Sequence, residues 1–209
     1  MNSLWITPER LEGTHVVLEP LHEDHIAPLI QAVKDGEAWR LWYATVPNPQ
    51  QMQQYVEQAM LAQQRGDLAY AVYSKQTGQV VGTTRYYNVD PQHQRAMIGY
   101  TWYAGSARRS PINTECKFLL LNKLFETHQA IAVEFRTHVL NATSRAAIER
   151  LGAQLDGILR HHQIMPNGTI RDTAVYSIIS PEWPSVKCNL LSKLSAHLQA
   201  TDSLCKQLL

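Results

Sequence analysis

M-I-G-Y-T-W-Y-A-G-S-A-R-R-S-P-I-N-T-E-C-K-F-L-L-L-N-K-L-F-E, Met97 to Glu126, is the stretch on which the fold turns. Its opening, Met97 to Tyr103, is rich in aromatic and β-branched side chains and reads as a strand. Ala104-Gly105-Ser106 interrupts it, Arg108 and Arg109 follow, and the chain restarts as a helix near Pro111. Proline suits the first helical position, because the N–H it lacks has no intrahelical partner there. Cys116, Leu119, Leu120, Lys123 and Leu124 then recur at spacings of three and four, giving one stripe to pack on a sheet. A strand therefore passes through a basic loop into a helix N-terminus. Free backbone N–H groups, the positive end of the helix dipole and two guanidiniums favour an anion at such a junction, and a phosphate is the expected guest. The same order occurs in many α/β domains, so this stretch alone leaves a purely structural role open.

Upstream, Val16-Val17-Leu18 forms a short strand ending at Pro20, and Leu21 to Lys34 is patterned as a helix closed by Asp35-Gly36. Glu37 to Pro49 carries Trp39, Trp42 and Tyr43 among polar and proline punctuation. They read either as the wall of a pocket or as padding for the core. Gln50 to Arg65 is a second helix stopped by Gly66. Leu68 to Ser74 and Val80 to Tyr87 are strands joined by a glycine-containing loop, and Asn88 to His93 turns the chain into the central strand.

Downstream, Ala130 to Val139 alternates Ile131, Val133 and Phe135 with Glu134, Arg136 and His138, the period of a strand. Asn141 and Thr143 mark a helix start, and Ser144 to Leu151 is a short helix ended by Gly152. Gln154 to Met165 and Thr169 to Ser180 form a hairpin across Asn167-Gly168. From Ser185, Val186, Leu190, Leu191, Leu194 and Leu198 trace an amphipathic helix. The order β-α-α-β-β-β-α-β-α-β-β contains one β-α-β unit, whose strands should run parallel inside an otherwise antiparallel sheet. The fold class is mixed α/β (α+β), with about six to seven strands.

Composition narrows the function classes. The 209 residues carry a formal net charge of +1, so no global field recruits nucleic acid. No run of about eighteen apolar residues and no basic-then-apolar leader is present, so neither a membrane span nor a signal peptide is expected. Cys116, Cys188 and Cys205 are widely spaced and odd in number, which reads as free thiols in a reducing cytoplasm. His161 and His162 are adjacent on a strand and point to opposite faces, so they cannot share a metal, and none is expected.

The chain resembles the GCN5-related N-acetyltransferase (GNAT) fold, and within it the branch typified by the ribosomal-protein alanine acetyltransferases. The resemblance is carried by Ile98-Gly99-Tyr100, Asn113-Thr114-Glu115, Asn141-Ala142-Thr143-Ser144, Arg150-Leu151-Gly152-Ala153, Asp172 to Ser177 and Glu182-Trp183-Pro184, together spanning Leu11 to Lys187. It implies a domain over residues 1–187 with a helical extension over 188–209. It implies acetyl-CoA as co-substrate, an amine acceptor (a small molecule or a protein N-terminus) and no metal. The central parallel strands would splay, with the pantetheine arm along Tyr100, Thr101, Trp102 and Tyr103. The pyrophosphate would lie on a turn whose R/Q-x-x-G-x-G/A pattern maps onto Arg108, Arg109, Ser110, Pro111, Ile112 and Asn113, with Thr114 beside it. Pro111 replaces the glycine of that pattern and withdraws one amide. Asn141 and Ser144 match the residues that meet the pantetheine and thiol end; read from the residues alone they are a helix cap.

Direct acetyl transfer needs a base for the ammonium, a donor for the oxyanion and a proton for the departing thiolate. The carboxylate that related enzymes place just before Gly99 is absent. Glu134 and His138 are base candidates, with His161 and His162 behind them, and Tyr176 is the acid candidate. Trp39, Trp42 and Tyr43 would wall the acceptor. A non-catalytic, CoA-binding or scaffold module is the alternative from another class, and self-association as a homodimer through the last hairpin or the C-terminal helix fits either.

Overall fold

The computed structural model describes residues 4–207, with side chains through residue 199. The strands are β1 (Leu11–Glu12), β2 (Val16–Pro20), β3 (Leu68–Ser74), β4 (Val80–Asp90), β5 (Arg95–Tyr103), β6 (Ala132–His138), β7 (Gln154–Ile164) and β8 (Ile170–Ile179). The helices are α1 (Ile26–Lys34), α2 (Met52–Gln63), α3 (Ile112–Asn122), α4 (Ala142–Leu151) and α5 (Trp183–Gln207). One sheet holds the strands in the order β1-β2-β3-β4-β5-β6-β8-β7, antiparallel throughout except for β5 beside β6. The eighth strand, beyond the seven patterned in the sequence, is the two-residue β1, too short to leave a period.

Alternation along β4 assigns the two faces. Thr83 and Arg85 point to α2, where the Tyr55 hydroxyl meets Thr83 Oγ1 at 2.9 Å. Thr84 and Tyr86 point to α3, where the Tyr86 hydroxyl donates to the Leu120 carbonyl at 2.8 Å. Helices α1 and α2 thus cover one face, and α3 with α4 and α5 the other. Buried Leu18, Tyr70, Tyr86, Ile98, Leu120, Leu124 and Phe135 belong to a single core. Leu68 to Val72 is buried without alternation, as a strand covered on both faces requires.

Two anchors fix α3. Glu115 is buried, and its carboxylate accepts the backbone N–H groups of Thr14, His15 and Val16 at 2.8, 2.6 and 2.8 Å, tying the β1–β2 turn to the first turn of α3. A Cβ on Gly13 would overlap that carboxylate, so glycine there permits the close approach. At the other end a turn of π-helix, Lys123–Thr127, places Phe125 against Trp183 with ring centroids 5.2 Å apart, and Trp183 Nε1 donates to Glu126 at 2.7 Å. Helix α5 runs unbroken through residues 187 and 188, and Leu190 and Leu194 are buried. Leu190 joins the same core as Trp183 and Val186, earlier in that helix. Cys116 and Cys188 are free thiols, while Cys205 lies outside the described side chains.

Candidate active site

The strands β5 and β6 pair over three rungs only, Arg95 with Ala132, Ala96 with Val133 and Met97 with Glu134. Beyond the last rung, β5 continues through Tyr103 and β6 through His138 without bonding each other, and a gap opens between them. Both remain braced on their outer sides, by β4 and β8. The open edge of β5 is the segment Ile98 to Tyr103.

A bulge shapes that edge. The register between β4 and β5 shifts between Thr83 and Arg85, and Tyr100 takes a left-handed φ of 50°, unusual for a tyrosine. The shift turns the Tyr100 carbonyl toward β4, where it accepts from Thr83 Oγ1 at 3.1 Å and from the Tyr55 hydroxyl at 3.4 Å. In a planar trans peptide the following N–H points the other way, so the Thr101 amide is aimed into the gap. Beneath the bulge lies Lys117 of α3, fully buried, whose Nζ donates to Thr101 Oγ1 at 2.6 Å and Thr84 Oγ1 at 3.0 Å. Among the described residues no carboxylate pairs with it, and burial pulls its ammonium down to about 8.

The chain leaves β5 through the turn that the sequence assigned to an anion. Asp35 clips this turn to the end of α1. Its carbonyl accepts Gly105 N–H at 2.8 Å, and its carboxylate accepts Ser106 N–H at 2.9 Å. Hydrogen bonds from Ser106, then the charge of Arg108, hold that carboxyl below its ordinary range. Gly36 and Gly105 are in backbone contact, which Cβ atoms would obstruct. Arg108 and Arg109 are exposed, and Arg109 is left-handed at φ 58°. Ser110 donates to the Ala107 carbonyl at 2.6 Å and accepts Ile112 N–H at 3.3 Å, so those two polar groups serve the turn itself. Pro111 caps α3 in a helical conformation, and the helical ladder begins with Glu115 N–H on its carbonyl. The amides of Asn113 and Thr114 precede that bond, in the first turn, where partners inside the helix are lacking.

Across the gap, Asn141 caps α4, its Oδ1 accepting Ser144 N–H at 3.0 Å. His138 ends β6, buried, with Nδ1 accepting Leu140 N–H at 3.1 Å. The hydrogen bond assigns the ring proton to Nε2, which has no partner among the described residues. Burial first, and then the charge of Arg171, lowers its pKa, while Asp172 raises it. The ring is neutral near neutral pH, and its free nitrogen is a donor.

The three aromatics of the α1–α2 connection separate. Trp42 and Tyr43 pack around His138, with ring centroids at 5.2 and 6.1 Å, whereas Trp39 is half-buried against the core. Glu134 stands at the last paired rung, facing α2 and contacting Arg136 at 3.3 Å. Tyr176 faces α4 instead: its hydroxyl donates to Glu149 at 2.7 Å and accepts Arg145 Nε at 2.8 Å. Burial heads the causes that raise its pKa. Glu134, His138, Trp42 and Tyr43 thus share one side of the gap, while Tyr176 and Trp39 stand apart. Asp35, Thr83 and Lys117 escaped sequence reading. Asp35 reads only as a helix end and the other two as ordinary strand and helix residues; each acts through a contact distant in sequence.

Comparison with known proteins bears on this arrangement. Residues 15–154 match the family model described as an acetyltransferase (GNAT) domain. A solved GCN5-related N-acetyltransferase from Brucella melitensis superposes with a TM-score of 0.82 at 28% identity, over 90% of this chain and 86% of that one. An uncharacterized N-acetyltransferase of Bacillus subtilis (strain 168), YoaA, is 23% identical over 180 residues, which are 82% of this chain and 97% of the relative. The structure of RimL, a ribosomal L7/L12 alpha-N-protein acetyltransferase, superposes with a TM-score of 0.71 at 22% identity over 82% of this chain and 94% of that one, a likeness of fold.

Proposed function

The chain belongs to the acetyltransferase (GNAT) family and is an N-acetyltransferase; from that premise we propose that it moves the acetyl group of acetyl-CoA directly onto a primary amine of a small molecule or a protein N-terminus. The observation that carries this reading is the loss of pairing between β5 and β6 after Met97 and Glu134, which leaves a strand edge open beside an anion-suited turn.

The residues fit the co-substrate. Tyr100 to Tyr103 present a strand edge for a pantetheine arm, and Arg108, Arg109 and the Asn113 and Thr114 amides suit a pyrophosphate, with Asp35 holding the turn still. Charge-assisted bonds from the arginines make up for the amide withdrawn by Pro111. Asn141 and Ser144 border the gap near the reacting end while capping α4. When bound, acetyl-CoA supplies an activated thioester carbonyl. This chain supplies the Thr101 N–H as a donor for the oxyanion, fixed in advance by the bonds from Thr83 and Tyr55 to the Tyr100 carbonyl. Glu134 takes the proton of the acceptor ammonium, directly or through water, and the His138 Nε2 proton orients the acceptor between Trp42 and Tyr43. The Tyr176 hydroxyl already serves Glu149 and Arg145, which argues against it as the acid; the second proton shed by the attacking nitrogen can instead reach the departing thiolate through water. Exposed Ile158, Leu159, Ile164 and Ile170 on the last hairpin support association with a second copy.

Replacing Arg108 and Arg109 together by alanine tests the cofactor assignment. The expected result is a loss of CoA affinity of tenfold or more by calorimetry; unchanged affinity would remove the phosphate role from this turn.

A further inference from the structure

The sheet face that carries Glu134 and His138 also carries more guanidinium charge than the reaction needs. Arg85 of β4 is buried, and its Cζ lies 4.2 Å from the Tyr100 ring centroid and 5.4 Å from that of Tyr55. Tyr100 packs edge-on against Tyr87, with centroids 5.1 Å apart. Arg136 and Arg171 lie close enough to Tyr87 for their charges to act on its hydroxyl. Arg136 and Glu134 also line a cleft of about 300 Å³ with Asn88, Asp90 and Arg95.

The partners of these arginines do not balance them. Arg136 contacts Glu134 at 3.3 Å, yet its Nε is buried and unbonded. Arg171 gives its Nε to the neutral Thr173 hydroxyl at 2.9 Å. The Arg85 Nε is buried without a hydrogen-bond partner among the described residues, and Asp67, whose charge attracts Arg85, makes no ion pair with it. Among the described residues neither Arg85 nor Arg171 makes an ion pair, and the donor nitrogen of neighbouring His138 is also unmet. Buried donors left unpaired carry a desolvation cost that a bound acceptor group removes.

We infer that the acceptor carries an anionic group near its amine, a carboxylate or a phosphate, and that Arg85, Arg136 and Arg171 receive it around Tyr87 and Tyr100. The inference rests on the acceptor side of the gap being the face proposed above. Glu134, at the mouth of the gap, faces the ammonium, while the guanidiniums face the anion. The site therefore selects for two opposite charges on one molecule rather than for an apolar amine. Guanidinium geometry favours a planar carboxylate or a phosphate through paired bonds.

Acetylated products reveal the preference without turnover. The full chain, saturated with CoA, is titrated calorimetrically with two matched pairs. N-acetyl-Glu-Ala-Ala-amide against N-acetyl-Gln-Ala-Ala-amide places the anion on a peptide side chain. N-acetylphenylalanine against its amide places it on a free amino acid. In at least one pair the anionic member should bind about tenfold or more tightly, and the pair that discriminates identifies the source of the anion. Arg136→Met and Arg171→Met should each collapse that ratio toward one, and Arg171→Lys should retain part of it. The CoA-induced rise in melting temperature serves as the folding control for each variant. Equal binding within both pairs, tighter binding of the amides, no binding of any of the four by a chain that still takes up CoA, or a preference that survives both arginine replacements would overturn the inference. Failure to bind CoA would instead overturn the proposed function beneath it.

Discussion

The buried ammonium of Lys117 makes a quantitative prediction. It sits under the bulge of β5, bonded to Thr84 and Thr101 and, among the described residues, to no carboxylate. A lysine whose folded pKa is depressed destabilises the fold wherever it must stay protonated, and that burden lifts as pH rises through the folded value toward the unfolded one. With a folded value of about 8 against 10.5 unfolded, the wild type should gain about 2 to 3 kcal/mol between about pH 7 and pH 10 from this group alone. Other groups titrate over the same range, so the measurement is a difference. Lys117→Met keeps the length and apolar bulk of the side chain, and Thr84 and Thr101 can still bond each other at 2.9 Å. Urea unfolding of both proteins at the two pH values should show the stability difference, wild type minus variant, shifting toward the wild type by about that amount at the higher pH. A difference that stays flat from neutral to alkaline pH would mean that the ammonium is solvated or paired, and the description of the space beneath the bulge would fail.

Two further perturbations test the anchors. Glu115→Ala leaves three backbone N–H groups without their carboxylate, and should cost about 3 to 5 kcal/mol in chemical denaturation, with proteolysis appearing first near residues 13–16; a loss under about 1 kcal/mol would show the turn to be held otherwise. Asp35→Ala removes the bond to Ser106 N–H and should weaken CoA binding about threefold to tenfold while leaving the fold largely intact, because the loop must then be ordered by the ligand. Unaltered affinity would show that the clip does not organise the turn.

What the sequence made legible divides along physical lines. The strand Leu68–Ser74 and the last hairpin appear within a residue of their expected ends, because apolar runs and an Asn-Gly turn are local signals. The parallel pair followed from topology, since a helix separates its strands. β4 outran its expected end and reaches Asp90, because Asn88, which reads as the start of a turn, is absorbed as a left-handed irregularity within the strand. The bulge at Tyr100 was illegible: a glycine at a left-handed position announces itself, and a tyrosine held there by Thr83 and Tyr55 does not. Trp39, Trp42 and Tyr43 left two readings open, and the structure separates them, Trp39 against the core and the other two beside His138. Arg85, Arg136 and Arg171 come from three strands, β4, β6 and β8, so no spacing in the chain could have joined them.

The proposed function lays acetyl-CoA along the open edge of β5 and on the turn that follows. Hydrogen–deuterium exchange of the full chain with and without acetyl-CoA addresses it directly, since backbone N–H groups that gain partners slow their exchange. Protection concentrated in peptides covering residues 98–114, with little change in β1 to β3, is the predicted result. Protection confined to other segments, or none at saturating ligand, would contradict the account.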